Sequence, residues 1–132
     1  MRMRFLILPA LLAATPSLAQ TALERIEPRL AAAIAEERVF LTCSAANAQM
    51  AAELRFAWTA MVREARTSLE ARYTSLADLA AFDRRTAIEA IVLPPDTPAE
   101  KIAAFCDVEN AGWLARYQNL QIIYRIDETP LP

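Results

Sequence analysis

No histidine occurs in the chain, and glycine occurs once, at Gly112. The first absence removes the commonest general base and the commonest metal ligand, which excludes serine–histidine and cysteine–histidine machinery. The second leaves no phosphate-cradling loop, no dinucleotide fingerprint and no glycine-flanked serine of the nucleophile-elbow kind. It also leaves few places for tight hairpin turns, so an all-β fold is not expected. The oxygen-rich spacing of a calcium loop is missing too. No catalytic residue, metal ligand, cofactor site or nucleotide site is therefore assigned.

Long apolar runs are likewise missing. The longest, Phe5 to Ala14, carries Pro9 and is shorter than the ~20 residues a helix needs to cross a bilayer, so no permanent membrane insertion is expected. Its setting has a different meaning. Arg2 and Arg4 precede it, Thr15-Pro16 follow, and Ser17-Leu18-Ala19 supply small residues before Gln20, the order of a secretory signal peptide cut after Ala19. No cysteine lies near the cut to accept a lipid. Residues 1–19 are thus expected to be a leader and the mature product to be soluble, periplasmic or secreted. Without Arg2 and Arg4, the 14 basic residues fall to 12 against 16 acidic ones. A net charge of −4 gives no general attraction to nucleic acid or anionic lipid.

Cysteine is scarce but paired in number. Cys43 and Cys106 both lie in the mature chain, and export places them where thiols oxidise, so they are expected to form one disulfide. The spacing is not that of a C-x-x-C redox motif. Closing so long a loop is worth roughly 4 kcal/mol in the chain-entropy model.

Alanine and leucine are abundant, and the expected fold is all-α: a bundle of four to five helices over residues 20–126, with 127–132 a disordered tail. The first helix starts at a Thr21/Glu24 capping box and presents Leu23, Ile26, Leu30 and Ile34, unless Pro28 moves its start to about Glu27. A central helix over about Ser44 to Tyr73 carries the stripe Met50, Leu54, Trp58, Met61, Val62, Ala65, Leu69 and Tyr73, with Arg66 and Glu70 spaced to pair. Ser75 and Asp78 open a third segment through Leu76, Leu79, Phe82, Ile88 and Ile91, with a break near Asp83. Thr97-Pro98-Ala99-Glu100 opens a fourth, which turns Ile102, Phe105 and Cys106 inward. The last segment, with Trp113, Tyr117, Leu120 and Tyr124 in register, is read as helix rather than an unpaired strand.

Two apolar groups do not fit simple burial and form the candidate partner surface. Phe56 lies opposite the central stripe, among Ala52, Ala57 and Ala60; a second helix layer over it is favoured, with exposure to a partner the alternative. Ile122, Ile123 and Ile126 cannot all share the face of Trp113, Tyr117 and Tyr124. Of the acids, Glu36 and Glu37 point apart on a helix, while Asp107 and Glu109 are expected to be solvated. In plan, a leader, a helical body of about one hundred residues and two well-spaced cysteines, the chain resembles the periplasmic acid-stress chaperones and small helical immunity proteins. With no catalytic constellation and two apolar outliers, the expected function is a non-catalytic binding module acting on another envelope protein or on itself. In an acid-triggered form, carboxylates protonate below pH ~4 and the arginines repel one another until apolar faces open. The alternatives are a carboxylate-dependent hydrolase of cell-wall glycans and a structural envelope component.

Overall fold

The computed structural model describes residues 20–119, so the expected leader, the expected tail and Ile122, Ile123 and Ile126 lie outside the described residues. Six α-helices occur among them, in the order α1 (Ala22–Cys43), α2 (Ala48–Ala71), α3 (Leu76–Thr86), α4 (Ile88–Ile91), α5 (Ala99–Ala104) and α6 (Trp113–Asn119), with a π-helical turn (Phe105–Glu109) after α5. No strand is present among the described residues. The fold is a small all-α bundle closed by the Cys43–Cys106 disulfide.

Helix starts follow their local chemistry. Thr21 accepts from the Glu24 amide and the Glu24 carboxylate accepts from the Thr21 amide, a complete capping box. Pro28 does not delay the helix: it sits exposed in the second turn, where solvent can satisfy the Glu24 carbonyl that lost its amide partner. Asn47 caps α2 through the Met50 amide, and Ser75 caps α3 through the Asp78 amide. Thr97 does not act as the expected cap. Its amide and hydroxyl both donate back to the Pro94 carbonyl, and α5 begins instead on the Pro98 carbonyl, which accepts from Lys101 and Ile102. The break in the third segment falls at Ala87, four residues beyond the expected position, because α3 carries its last turn through Thr86.

The hub of the bundle is α1 rather than α2. It packs against α2, α3, α4, α6 and the π turn, whereas α2 packs chiefly on α1 and α3. Four consecutive residues near its end, Val39, Phe40, Leu41 and Thr42, are buried, so the helix is enclosed on all sides there. Facing it are Leu54, Trp58, Ala65 and Leu69 of α2, Leu79 and Phe82 of α3, and Ile91 of α4. The Trp58 indole N–H donates to the Thr86 carbonyl at 2.9 Å, which ties the middle of α2 to the end of α3. Half-buried Tyr117 of α6 meets Phe40 edge to face, with ring centroids 5.7 Å apart. The described part of the last segment is therefore helical and docked on α1.

The disulfide joins the last residue of α1 to the π turn, with Cα atoms 5.6 Å apart. This is the expected clamp at the α1–α2 junction. The widened turn ends at Asn110, whose amide and side-chain nitrogen both donate to the Phe105 carbonyl. Gly112 follows with φ +82°, in the left-handed region, and reverses the chain into α6. Exposed ion pairs brace the outside. Arg66 pairs with Glu70, as the spacing predicts, and also grips Asp83 of α3 through a two-point fork of 2.8 and 3.1 Å. Arg85 pairs with Glu27, and Arg116 with Glu36.

Candidate recognition site

The end of α2 departs from its sequence pattern. The apolar stripe runs on to Tyr73, but the helix stops at Ala71. The Thr74 amide donates to the Leu69 carbonyl and the Tyr73 amide to the Glu70 carbonyl, the paired bonds of a Schellman cap. That motif needs a left-handed residue at its centre, and Tyr73 takes the position with φ +57°. For a bulky residue this conformation costs about 1 kcal/mol or more, which is why glycine usually stands there. Tyr73 gains no burial in return, since its side chain is 96 % exposed. Leu76, in the first turn of α3, is 85 % exposed, although both residues were expected inside. The helix ends two positions after Leu69, and the chain reversal swings both side chains out of the stripe.

Tyr73 also lines a groove of about 410 Å³ between the start of α1 and the α2–α3 turn, with Thr21, Arg25, Arg72 and Asp78 among its walls. Charges of both signs line the groove, and both flanking helices are capped by side chains, so the tyrosine projects from a fixed frame. The arrangement can engage an apolar group and orient it by hydrogen bonds.

Phe56 is 79 % exposed, so the favoured second helix layer over it is absent among the described residues. Ala52 and Ala60, one turn to either side, are exposed as well. This face of α2 is an uncovered apolar stripe, the alternative reading of the sequence pattern. Val108 of the π turn is another exposed apolar residue, one that sequence reasoning did not single out.

Among the acids, Glu36 is occupied by Arg116 at 2.9 Å, and Asp107 and Glu109 are exposed, as expected. Glu37 is different. At 100° per residue it falls between Leu30, Ala33, Phe40 and Leu41, on the core side of α1, and its Oε1 is buried with no hydrogen-bond partner. Burial, with Glu36 adding repulsion, pushes its carboxyl up to about 7. Two acids line one groove at the α3–α4 break, Asp83 and Glu89, but Asp83 is held by Arg66. Among the described residues no group of three histidine, cysteine or acidic side chains is placed to hold a metal. No helix there is long and apolar enough to cross a membrane.

No family model, curated protein or solved structure matches the chain.

Proposed function

We infer that the protein is an exported, non-catalytic binding module of the cell envelope, freed by removal of residues 1–19, which holds another envelope protein through the apolar residues at its α2–α3 turn. The observation that carries this reading is Tyr73. A large aromatic kept in a strained backbone position, with no packing to offset the cost, is the pattern of a residue retained for contact with something outside the chain. Aromatic side chains presented on rigid frames are also the usual anchors of protein interfaces. Leu76 beside it, and Phe56 on the open face of α2, extend the apolar contact area.

Export is supported by the order of basic, apolar and small residues at the amino terminus. The disulfide supports it independently, because such bonds persist in oxidising compartments and are rare in the cytosol. Chaperone, inhibitor and accessory-subunit roles differ in outcome: a chaperone keeps many clients soluble, whereas an inhibitor or subunit forms one stoichiometric complex.

The test is affinity capture from native envelope with wild-type protein and with Tyr73→Gly/Leu76→Ser. The double variant keeps every core contact. A partner enriched by the wild type and lost by the folded variant is the expected result. A partner retained in full by the variant places the contact elsewhere and removes the α2–α3 turn from the account.

A further inference from the structure

A second groove, of about 460 Å³, lies where α1 meets α3 and α4. Its floor is small and apolar, made by Ala31, Ile34 and Ala35 of α1 and Ala90 of α4, and three arginines line it: Arg38, Arg84 and Arg85. Arg85 is neutralised by Glu27. Arg38 spends only its Nε, which donates to the Ile91 carbonyl at 2.7 Å and fixes the guanidinium over the end of α4. Exposed Arg84 has no hydrogen-bond or ion-pair partner among the described residues. Two guanidiniums with no acidic partner among the described residues therefore flank an apolar trough in a chain whose overall charge is negative.

We propose that this groove is a docking site for an acidic amphipathic segment of a partner protein, whose apolar side rests on the alanine floor while its carboxylates take Arg38 and Arg84. The guanidinium fork suits carboxylates in two-point geometry, and Arg38 is already oriented, so little freedom is lost on binding. Alanines permit close approach of a helix. From Ala31 to Arg38 the groove runs along about two helical turns, the span of a short helical segment. Inorganic phosphate satisfies the arginines but leaves the floor uncovered. An anionic bilayer is opposed by the net negative charge, and the lining offers no large exposed apolar side chain to insert. The groove is built from other residues than the α2–α3 turn, so it stands whether or not Tyr73 anchors a partner.

The probe is a blocked helical peptide of about four turns, carrying glutamates four apart with leucine and alanine on the adjoining face, titrated by amide NMR and calorimetry against the full mature protein. Expected are shifts at Ala31, Ala35 and Ala90 and binding at least about tenfold tighter than for the glutamine version of the peptide. Binding should fall about tenfold between 0.01 M and 0.5 M salt, as the Debye length shrinks from about 30 Å to about 4 Å, and about tenfold in Arg84→Gln, an exposed change that leaves the fold intact. Ala35→Leu, which fills the trough, should lower it similarly while Tyr73→Gly leaves it unchanged. Equal binding of the glutamine peptide, undiminished binding by Arg84→Gln, no binding at all, or the same shifts produced by phosphate or by phosphatidylglycerol vesicles would each overturn the proposal.

Discussion

Glu37→Gln should make the protein more stable at neutral and alkaline pH and leave it unchanged in acid. The side chain lies on the core side of α1, with an unpartnered buried oxygen, and its carboxyl is raised from the ordinary 4.5 to about 7. A raised acid binds its proton more tightly folded than unfolded, so between these two values the folded state holds more protons and stability falls as pH rises. Below about pH 4.5 the carboxyl is neutral in both states and costs nothing; above about pH 7 the full penalty applies. At 1.36 kcal/mol per pKa unit the difference is about 3 kcal/mol, a large share of the ~5 to 15 kcal/mol of a small domain. Glutamine keeps the shape and is neutral throughout. Urea denaturation of both proteins from pH 4 to 8 should give stabilities that coincide at pH 4 and diverge to about 3 kcal/mol in favour of Glu37→Gln at pH 8. Every other titrating group is common to the two proteins and cancels. Parallel curves, or a variant less stable at pH 8, would refute the burial of the Glu37 carboxyl on the core side of α1.

Tyr73→Gly should stabilise the protein by about 0.5 to 1 kcal/mol, raising Tm by several degrees, because it removes left-handed strain where no packing is lost. The converse holds at the one glycine: Gly112→Ala should cost about 1 kcal/mol from backbone strain alone, since a Cβ there meets nothing within 4 Å. Trp58→Phe should cost about 2 kcal/mol in chemical denaturation, as the buried Thr86 carbonyl loses its donor. Replacing both cysteines by alanine should cost about 4 kcal/mol by the same assay, the loop-closure value for a bond between positions 63 apart.

Glu37 also bears on the acid-triggered chaperone idea. The pairs Arg66–Asp83, Arg85–Glu27 and Arg116–Glu36 lie at the surface, and each contributes at most about 1 kcal/mol. Protonating Glu37 acts in the opposite sense, against loosening, and with greater weight than any one of these pairs. On Glu37 alone the bundle tightens between pH 7 and pH 4.5, so loosening is left to the general repulsion of arginines at still lower pH.

What was legible in the sequence was local or periodic. The capping box at Thr21 and the serine cap at Ser75 each declare themselves within four residues, and both form in the structure. The α2 stripe from Leu54 to Leu69 was readable because its partners are all on one side. The pattern failed at both ends of what it can express. It ran on through Tyr73 and Leu76, since a Schellman cap without glycine leaves no sign in composition. It also missed Val39 to Thr42, whose burial depends on α4, α6 and the π turn closing round α1. Glu37 had the spacing of a core residue and the chemistry of a surface one, and spacing proved the better guide. The arginine groove could not be seen at all, because Arg38 and Arg84 are brought together only by the packing of α1 on α3 and α4. Phe56 was seen as an outlier, but whether a neighbour covered it depended on the number of layers, which single-helix periodicity does not contain.

The most direct test of the account is the intact mass of the protein taken from its native cells, alkylated without reduction. The expected species begins at Gln20 and carries no alkyl group, with Cys43 and Cys106 joined. A product that retains residues 1–19 and is alkylated at both cysteines would contradict export and the cross-link together.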